Sequence, residues 1–246
     1  MDEYRDTGAG ISGDPGDSPE SEIARLRAEV AFLQKKLQIV GSITRHDVLN
    51  QLTAIVGYNE LLGMMVEDPK LKSFLEKERQ AVDKIRRQFQ AAKEFQNIGL
   101  EPPRWIAVRN AVHRVREEAE TGTLQIVAET GDMAILADPL FERALARLFE
   151  NTVRHAGTAT GITVSFSEDG TCARLVIADD GIGIPAAEKE KIFERGFGKG
   201  GGWGLFLVRE ILAVTGITVT EEGEPGRGAC FVLSLPPGKY RQGGGQ

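Results

Sequence analysis

The chain has 246 residues, enough for one large domain or two small ones, each with its own core. Its net charge of −6 comes mostly from the first 20 residues, where six acidic side chains face Arg5 alone; the nearly neutral remainder lacks the basic surface that nucleic-acid binding requires. No segment approaches the roughly 20 consecutive apolar residues of a membrane span, and the N-terminus has no apolar signal segment, so we expect a soluble, cytoplasmic protein.

The N-terminal region changes character after residue 20. Residues 1–20 are rich in Gly, Asp, Ser and Pro, which predicts a disordered acidic tail. Over residues 21–41 apolar side chains recur at alternating steps of three and four, which predicts a short coiled-coil segment. Its apolar seam consists of Ile23, Leu26, Val30, Leu33, Leu37 and Val40. Gly41 and Ser42 interrupt the seam without a proline, so the helix either continues or hinges there.

Two longer amphipathic runs occupy residues 42–97. The turn signal Glu67-Asp68-Pro69 separates them and predicts a helical hairpin. Because a hairpin alone buries little apolar surface, the apolar stripes favour a four-helix bundle made by two copies of the chain, a homodimer. The stripes contain Val48, Leu52, Ile55, Val56 and Leu62 in the first run, and Leu71, Leu75, Val82, Ile85 and Phe89 in the second.

A linker around residues 97–103 leads to a second domain, at about residues 100–237, with mixed strand and helix patterns. We predict an α+β fold, a helical hairpin followed by an α/β sandwich with a mostly antiparallel sheet. Residues 238–246 are predicted to be a disordered tail. The predicted strands are 105–108, 124–128, 134–136, 162–167, 173–178, 217–220 and 229–235, and the predicted helices are 110–120, 139–155, 186–193 and 203–215.

The glycine-rich segment before the last predicted helix is a candidate phosphate-binding loop. Gly200, Gly202 and Gly204 precede Leu205, and glycines let backbone amides approach phosphates at a helix N-terminus. A flexible loop is the alternative. The segment does not follow a strand and no lysine–serine pair follows it, which argues against dinucleotide-binding and P-loop motifs.

Two polar positions suit a nucleotide and its metal. Asp179 follows a predicted strand, where a carboxylate can accept a hydrogen bond from an exocyclic amine such as that of adenine. An ordinary Asp-Gly turn is the alternative. Asn151 lies near the end of a predicted helix, and its amide oxygen suits Mg²⁺, although a surface or capping amide would look the same.

His46 is a candidate nucleophile in the first long helix. Arg45, Asp47 and Asn50 surround it with polar side chains, and the spacing of four places His46 and Asn50 on one helical face. Imidazole is nucleophilic when one nitrogen is unprotonated, and Asp47 could hold the proton on the other nitrogen. A structural or solvated histidine is the alternative. His113 lies in another amphipathic helix and matches no motif.

Taken together, these motifs resemble the ATP-binding domain of sensor histidine kinases, which shares its fold with type II topoisomerase and heat-shock-chaperone ATPases. The resemblance covers most of residues 105–236. Residues 148–156 are similar to the N box, 179–185 to the G1 box, 192–197 to the F box and 200–205 to the G2 box. The resemblance implies that residues 194–203 form a lid over the phosphates. It also implies that Asn151 binds Mg²⁺, that Arg154 lies near a phosphate with His155 in a supporting role, and that Asp179 binds adenine. The implied nucleotide-binding residues are Asn151, Arg154, His155, Asp179, Gly181, Gly183, Lys199, Gly200, Gly202, Gly204 and Leu205.

The chain departs from the family pattern at several positions. Trp203 stands where the G2 box usually has an aliphatic residue, and Arg147 stands where related ATPases carry a catalytic glutamate and many kinases an asparagine. The segment around His46 resembles the H box, but Asn50 and Gln51 replace its common threonine–proline. Asn50 fits one family pattern for positioning water during dephosphorylation of the partner, and Gln51 fits another, so both assignments stay open.

The resemblance implies a homodimeric histidine kinase that binds ATP and Mg²⁺, with His46, Asp47 and Asn50 as its catalytic residues. It would pass the phosphoryl group from His46 to an aspartate of a separate response regulator. The signal would come from a separate sensor protein, or the chain is a fragment of a longer receptor. One alternative is a serine/threonine kinase or anti-sigma-type switch protein on the same domain. Another is a catalytically idle dimeric interaction module.

Overall fold

The computed structural model describes residues 19–118, 124–157, 159–169, 172–198 and 202–243. The chain divides into two compact units, Met1–Gln51 and Leu52–Gln246, and each is described by itself. Of the disordered tail predicted at 1–20, residues 1–18 lie outside the described residues. Its last two residues, 19 and 20, begin the first helix.

Helix α1 spans Pro19–Met65 and α2 spans Pro69–Asn97. Gly41 and Ser42 lie inside α1, so the helix continues there rather than ending. The six apolar side chains of the predicted seam each expose 48–67% of their surface within this single chain. In the described part of the chain, no helix, the long α1 included, combines the length and the apolar character that a membrane span needs.

The turn between α1 and α2 follows from its local sequence. Asp68 caps α2, since its side chain accepts a hydrogen bond from the Lys70 amide at 2.7 Å, and Pro69 occupies the first helical turn. Within the hairpin of the second unit, Leu52 and Val82 are buried. The Asn59 amide donates to the backbone carbonyl of Leu75 at 2.9 Å, which ties the two helices together.

The α/β domain follows after Asn97. Its helices are α3 (Val108–Glu118), α4 (Phe141–His155) and α5 (Gly204–Ala213). Its strands are β1 (Arg104–Ala107), β2 (Gln125–Glu129), β3 (Met133–Ala137), β4 (Gly161–Asp169), β5 (Cys172–Asp179), β6 (Thr218–Glu221), β7 (Cys230–Leu235) and β8 (Tyr240–Gln242).

Five strands form the main sheet in the order β2-β4-β5-β7-β6, and β1-β3-β8 form a smaller one. Among the described strands only β2 and β4 pair in parallel, so the predicted α+β sandwich with a mostly antiparallel sheet is confirmed. One apolar core joins sheet and helices because each element buries a periodic set of side chains. Its members include Leu145 and Phe149 of α4, Val208 and Ile211 of α5, and Leu175, Ile177 and Leu233 of the sheet.

The helix predicted at 186–193 is wrong. Residues 186–190 form turns, and only Lys191–Phe193 adopts a short 3₁₀ helix. Tertiary contacts override the helical pattern here. Lys189 forms an ion pair with the buried Glu221 at 2.8 Å, and Phe193 packs edge-on against Phe231 in the core with ring centroids 6.3 Å apart.

The prediction of a disordered tail at 238–246 is wrong for residues 240–242, which form strand β8. Residues 244–246 lie outside the described part of the chain. Strand β8 pairs antiparallel with β3. Two side-chain contacts hold it: the Tyr240 hydroxyl donates to Glu168 at 2.8 Å, and the Arg241 guanidinium stacks 4.3 Å from the centre of the Trp105 ring. The strand is short and polar, so it carries no apolar alternation that would have predicted it.

Candidate functional site

A cleft of about 820 Å³ lies beside α4 and the N-terminus of α5. Other parts of its wall come from residues 183–185, from residues 188–198 and from Arg87 of α2. Seven predicted nucleotide-binding residues line it: Asn151, Arg154, His155, Gly183, Gly202, Gly204 and Leu205. The cleft is also lined by charged and aromatic residues that were not among the predicted nucleotide-binding residues: Arg87, Arg147, Glu150, Glu188 and Trp203.

Helix α4 positions Asn151 through its amphipathic pattern. Leu145, Leu148 and Phe149 are buried in the core, which turns the face carrying Asn151 toward the cleft. Near the end of the helix, the Arg154 guanidinium pairs with Glu150 at 3.3 Å. The helix therefore presents an amide together with positive and negative groups to one cleft.

Asp179 is half-buried at the end of β5 and is not among the residues that line the cleft. One carboxylate oxygen, Oδ1, accepts hydrogen bonds from the backbone amides of Gly181 at 3.0 Å and Ala229 at 2.9 Å. The other oxygen, Oδ2, accepts from the hydroxyl of the buried Thr152 at 2.9 Å. Sequence reasoning missed Thr152, although its place directly after Asn151 on the buried face of α4 was a usable signal.

Gly181 and Gly183 allow a close backbone approach next to Asp179. A Cβ atom at Gly181 would lie 2.4 Å from the Cβ and the carbonyl oxygen of Ala156. Gly183 has a φ angle of +70°, and a Cβ atom there would lie 2.8 Å from the Glu224 carbonyl oxygen. Both positions therefore require glycine for steric reasons. Gly183 lines the cleft, whereas Gly181 supports it through its bond to Asp179.

Asp180 has a structural role distinct from that of Asp179. Hydrogen bonds from the Thr160 hydroxyl, then from the backbone amides of Gly161 at 3.0 Å and Thr160 at 2.7 Å, lower the pKa of Asp180 to about 2. These bonds stabilise the carboxylate form and tie the end of β5 to the start of β4.

The glycine-rich segment is described only in part. Lys199 and Gly200, both predicted to contact nucleotide, lie outside the described residues. Gly202 precedes α5, whose first residues Gly204 and Leu205 line the cleft. Unpaired backbone amides at a helix N-terminus attract anions. Trp203 lies between two neighbours: the Arg195 guanidinium 4.7 Å from its ring centre, and the Phe206 ring at 5.9 Å in an edge-on contact.

The first unit contains His46, Asp47 and Asn50 as neighbours on α1. The Nδ1 atom of His46 lies 3.1 Å from Oδ1 of Asp47. The side-chain amide nitrogen of Asn50 lies 3.4 Å from each ring nitrogen of His46. The His46 side chain is 73% exposed, so its ring is accessible to a reaction partner.

Comparison with known proteins agrees with these motifs. Residues 137–239 match the family described as histidine kinase-, DNA gyrase B- and HSP90-like ATPases. The sensor protein KdpD of Escherichia coli is 37% identical over 106 residues, which cover 40% of this chain and 12% of KdpD. The chain thus spans only a small part of that relative's length.

Two solved structures share the fold. Full-length ShkA in complex with AMPPNP superimposes with a TM-score of 0.58 at 24% identity, over 80% of this chain and 45% of ShkA. Histidine kinase ThkA in complex with the response regulator protein TrrA gives 0.56 at 20% identity, over 88% of this chain and 66% of ThkA. Residues 137–239 thus contain a domain similar to the histidine kinase-, DNA gyrase B- and HSP90-like ATPases, and the two solved structures share the fold of the chain.

Proposed function

We propose that this protein is an ATP-dependent histidine kinase that autophosphorylates His46 and passes the phosphoryl group to an aspartate of a separate response regulator. The observation that carries the proposal is the pairing of a nucleotide-type cleft in one unit with an exposed, carboxylate-bound histidine in the other. The similarity to the sensor protein KdpD and the fold shared with histidine kinase ThkA support the same activity.

The cleft and the adjoining Asp179 together suit the two ends of ATP. Asp179 is fixed by two backbone amides through Oδ1, while Oδ2 accepts one hydroxyl and still has a lone pair for the exocyclic amine of adenine. Arg154, Gly204 and the first amides of α5 supply positive charge and hydrogen-bond donors for the phosphates. The complex of ShkA with AMPPNP supports an adenine nucleotide as the ligand.

Asn151 is the residue that would hold Mg²⁺. Its neutral amide oxygen lines the cleft, and Mg²⁺ typically takes one or two protein ligands while keeping waters and substrate phosphates. When bound, the ion neutralises charge that develops on the phosphates. Arg147 stands where related ATPases carry a water-activating glutamate, so the chain's own residues favour transfer to another nucleophile over hydrolysis.

His46 is set up for nucleophilic attack. When the Nδ1–H group of His46 donates a hydrogen bond to the Asp47 carboxylate and keeps its proton, the lone pair of Nε2 is free to attack the γ-phosphorus of ATP. A nitrogen–phosphorus bond forms, the bond from the γ-phosphorus to the bridging oxygen breaks, and ADP leaves. Asp47 then stabilises the positive charge on the ring, and the phosphoryl group moves on to the regulator's aspartate.

We also propose that the protein works as a homodimer. The apolar seam of α1 exposes about half of each side chain, from Ile23 to Val40, and such a stripe is stable when a second helix covers it. A response-regulator receiver domain is the second proposed partner, supported by the complex of ThkA with TrrA. A separate sensor protein is the third.

A labelling experiment tests the proposed activity. The purified chain is incubated with ATP labelled at the γ-phosphate and then treated with acid or base. We expect a protein label that is lost in acid and stable in base, as phosphohistidine is. An acid-stable label would instead indicate a serine/threonine kinase, and nucleotide binding without any label would indicate an idle interaction module.

A further inference from the structure

Arg147 and Glu94 form an ion pair that has no role in the proposed reaction. The Nη2 atom of Arg147 donates to Oε2 of Glu94, and this bond joins α4 to the C-terminal part of α2. The side chains are 19% and 14% exposed, respectively, so solvent and salt screen the pair less than a surface pair. Removing either partner leaves the other charge partly buried and uncompensated.

Arg147 also faces the nucleotide cleft. It precedes Asn151 by four residues, which places both side chains on the same face of α4, and both line the cleft. In the described part of the chain, its Nε atom is buried and has no hydrogen-bond partner. Glu94 therefore satisfies the guanidinium only in part, and an additional acceptor in the cleft would complete it.

A nucleotide polyphosphate competes with Glu94 for this guanidinium. Arginine binds phosphate through two parallel hydrogen bonds, the same geometry that it uses for a carboxylate. The polyphosphate also brings several negative charges close to the Glu94 carboxylate, and like charges repel more strongly at a partly buried site. A bound nucleotide would thus weaken the pair and supply Arg147 with a new partner.

We propose that Arg147 is a nucleotide-binding residue that exchanges Glu94 for the polyphosphate of the bound nucleotide. This inference rests on the proposed function, because it takes the ligand to be ATP. Release of Glu94 removes one contact between α2 and the ATP-binding domain. The contact next to it, between the Phe95 and Phe206 rings at 5.8 Å, does not involve Glu94 and stays in place. Nucleotide occupancy is thereby linked to the docking of α2.

The exchange predicts opposite effects of two charge-removing substitutions on affinity for a triphosphate. Glu94→Gln removes the competing carboxylate. Triphosphate binding should tighten about 3–10-fold, because a larger fraction of the protein then has Arg147 free to bind phosphate. Arg147→Gln removes a phosphate ligand and should weaken binding roughly tenfold. A purely structural ion pair predicts instead that both substitutions change the affinity in the same direction, since each breaks the same bond.

Calorimetry of the full chain with a non-hydrolysable ATP analogue, and with AMP for comparison, tests the proposal. The gain in Glu94→Gln should appear with the triphosphate, be absent with AMP and disappear in the Glu94→Gln/Arg147→Gln double variant. A gain that persists in the double variant would reflect a general charge effect and would overturn the exchange. Glu142→Gln is the matched control. It breaks the Arg114–Glu142 pair at the N-terminal end of α4, where neither residue lines the cleft, and should leave the affinity unchanged.

If Arg147→Gln does not fold, Arg147→Lys takes its place in the single and double variants, because lysine keeps the charge but cannot bind phosphate through two parallel hydrogen bonds, and the gain from Glu94→Gln should then shrink. Unchanged or weaker triphosphate binding in Glu94→Gln would overturn this inference but leave the proposed function standing. A wild-type chain that binds neither nucleotide would overturn the proposed function and this inference with it.

Discussion

Asp179 shows how single residues determine the properties of the cleft. Its two carboxylate oxygens have different partners: Oδ1 takes two backbone amides, and Oδ2 takes the Thr152 hydroxyl. An ionised carboxylate accepts on both oxygens, whereas an asparagine in its place would have to present an NH₂ group to one set of these donors. The position therefore depends on charge and on acceptor capacity as well as on shape.

We predict that Asp179→Asn weakens ATP binding about tenfold or more without unfolding the chain, because an unpaired buried donor costs about 1–3 kcal/mol. Calorimetric titration with an ATP analogue measures the effect. Asp180→Asn is the matched control, since Asp180 binds Thr160 and Gly161 rather than the cleft, and it should keep its affinity. Equal affinities of wild type and Asp179→Asn would remove Asp179 from the nucleotide site.

Asn50 lies close to both ring nitrogens of His46, at 3.4 Å from each. We predict that Asn50→Ala keeps autophosphorylation but lowers dephosphorylation of the regulator on the order of tenfold or more, because it removes an amide that orients the attacking water. Regulator dephosphorylation is followed with the phosphorylated partner of the wild-type kinase. Gln51→Ala is the control, since Gln51 points about 100° further round the helix. The reverse result, with loss in Gln51→Ala alone, would favour the other spacing pattern.

At the level of secondary structure, the elements with strong periodicity were predictable. Helix α4 and strands β4, β5 and β7 carry apolar repeats that match their burial, so their positions were predicted to within about two residues at most ends, which is the usual uncertainty of element boundaries. Strand β8 could not be predicted, because three polar residues pair with β3 and two side-chain contacts supply its stability.

The site was predictable where it coincides with local motifs and not where it depends on distant contacts. Asn151, Gly183 and Gly204 follow from their motifs and line the cleft. Glu94 and Arg147 are 53 positions apart, and no local pattern in the sequence connects them. The same limit applies to Lys189 and Glu221, whose ion pair holds a segment that the sequence predicted as helix.

Asp180 gives a test of the connection between β4 and β5. Its folded-state pKa of about 2 lies below the ordinary value of 3.8, so its contribution to stability is fully present above pH 4 and is lost as the pH falls through 2. We predict that Asp180→Asn lowers the free energy of unfolding by at most about 1 kcal/mol at pH 7, since the group is exposed. Urea unfolding at several pH values should show this difference shrinking below pH 4. A difference that stays constant down to pH 3 would contradict the assigned role.

For the whole molecule, the main proposal assigns donor and acceptor to different units. The nucleotide cleft belongs to the second unit, while His46 belongs to the first. A substitution of the acceptor should therefore abolish phosphorylation without changing nucleotide affinity, whereas a substitution in the cleft should change both. Loss of phosphorylation with unchanged nucleotide affinity on substitution of His46 would distinguish a histidine kinase from a kinase that modifies other proteins on serine or threonine.

The most direct test compares autophosphorylation of wild type and His46→Gln, with nucleotide affinity measured on the same samples. We predict an acid-labile label in wild type, no label in His46→Gln and nearly equal affinity for an ATP analogue in both. His113→Gln is the control, because His113 is an exposed histidine paired with Glu117 at 3.5 Å, and it should label like wild type. Persistent acid-labile labelling of His46→Gln would contradict the proposal, because the phosphoryl group would then reside on another residue.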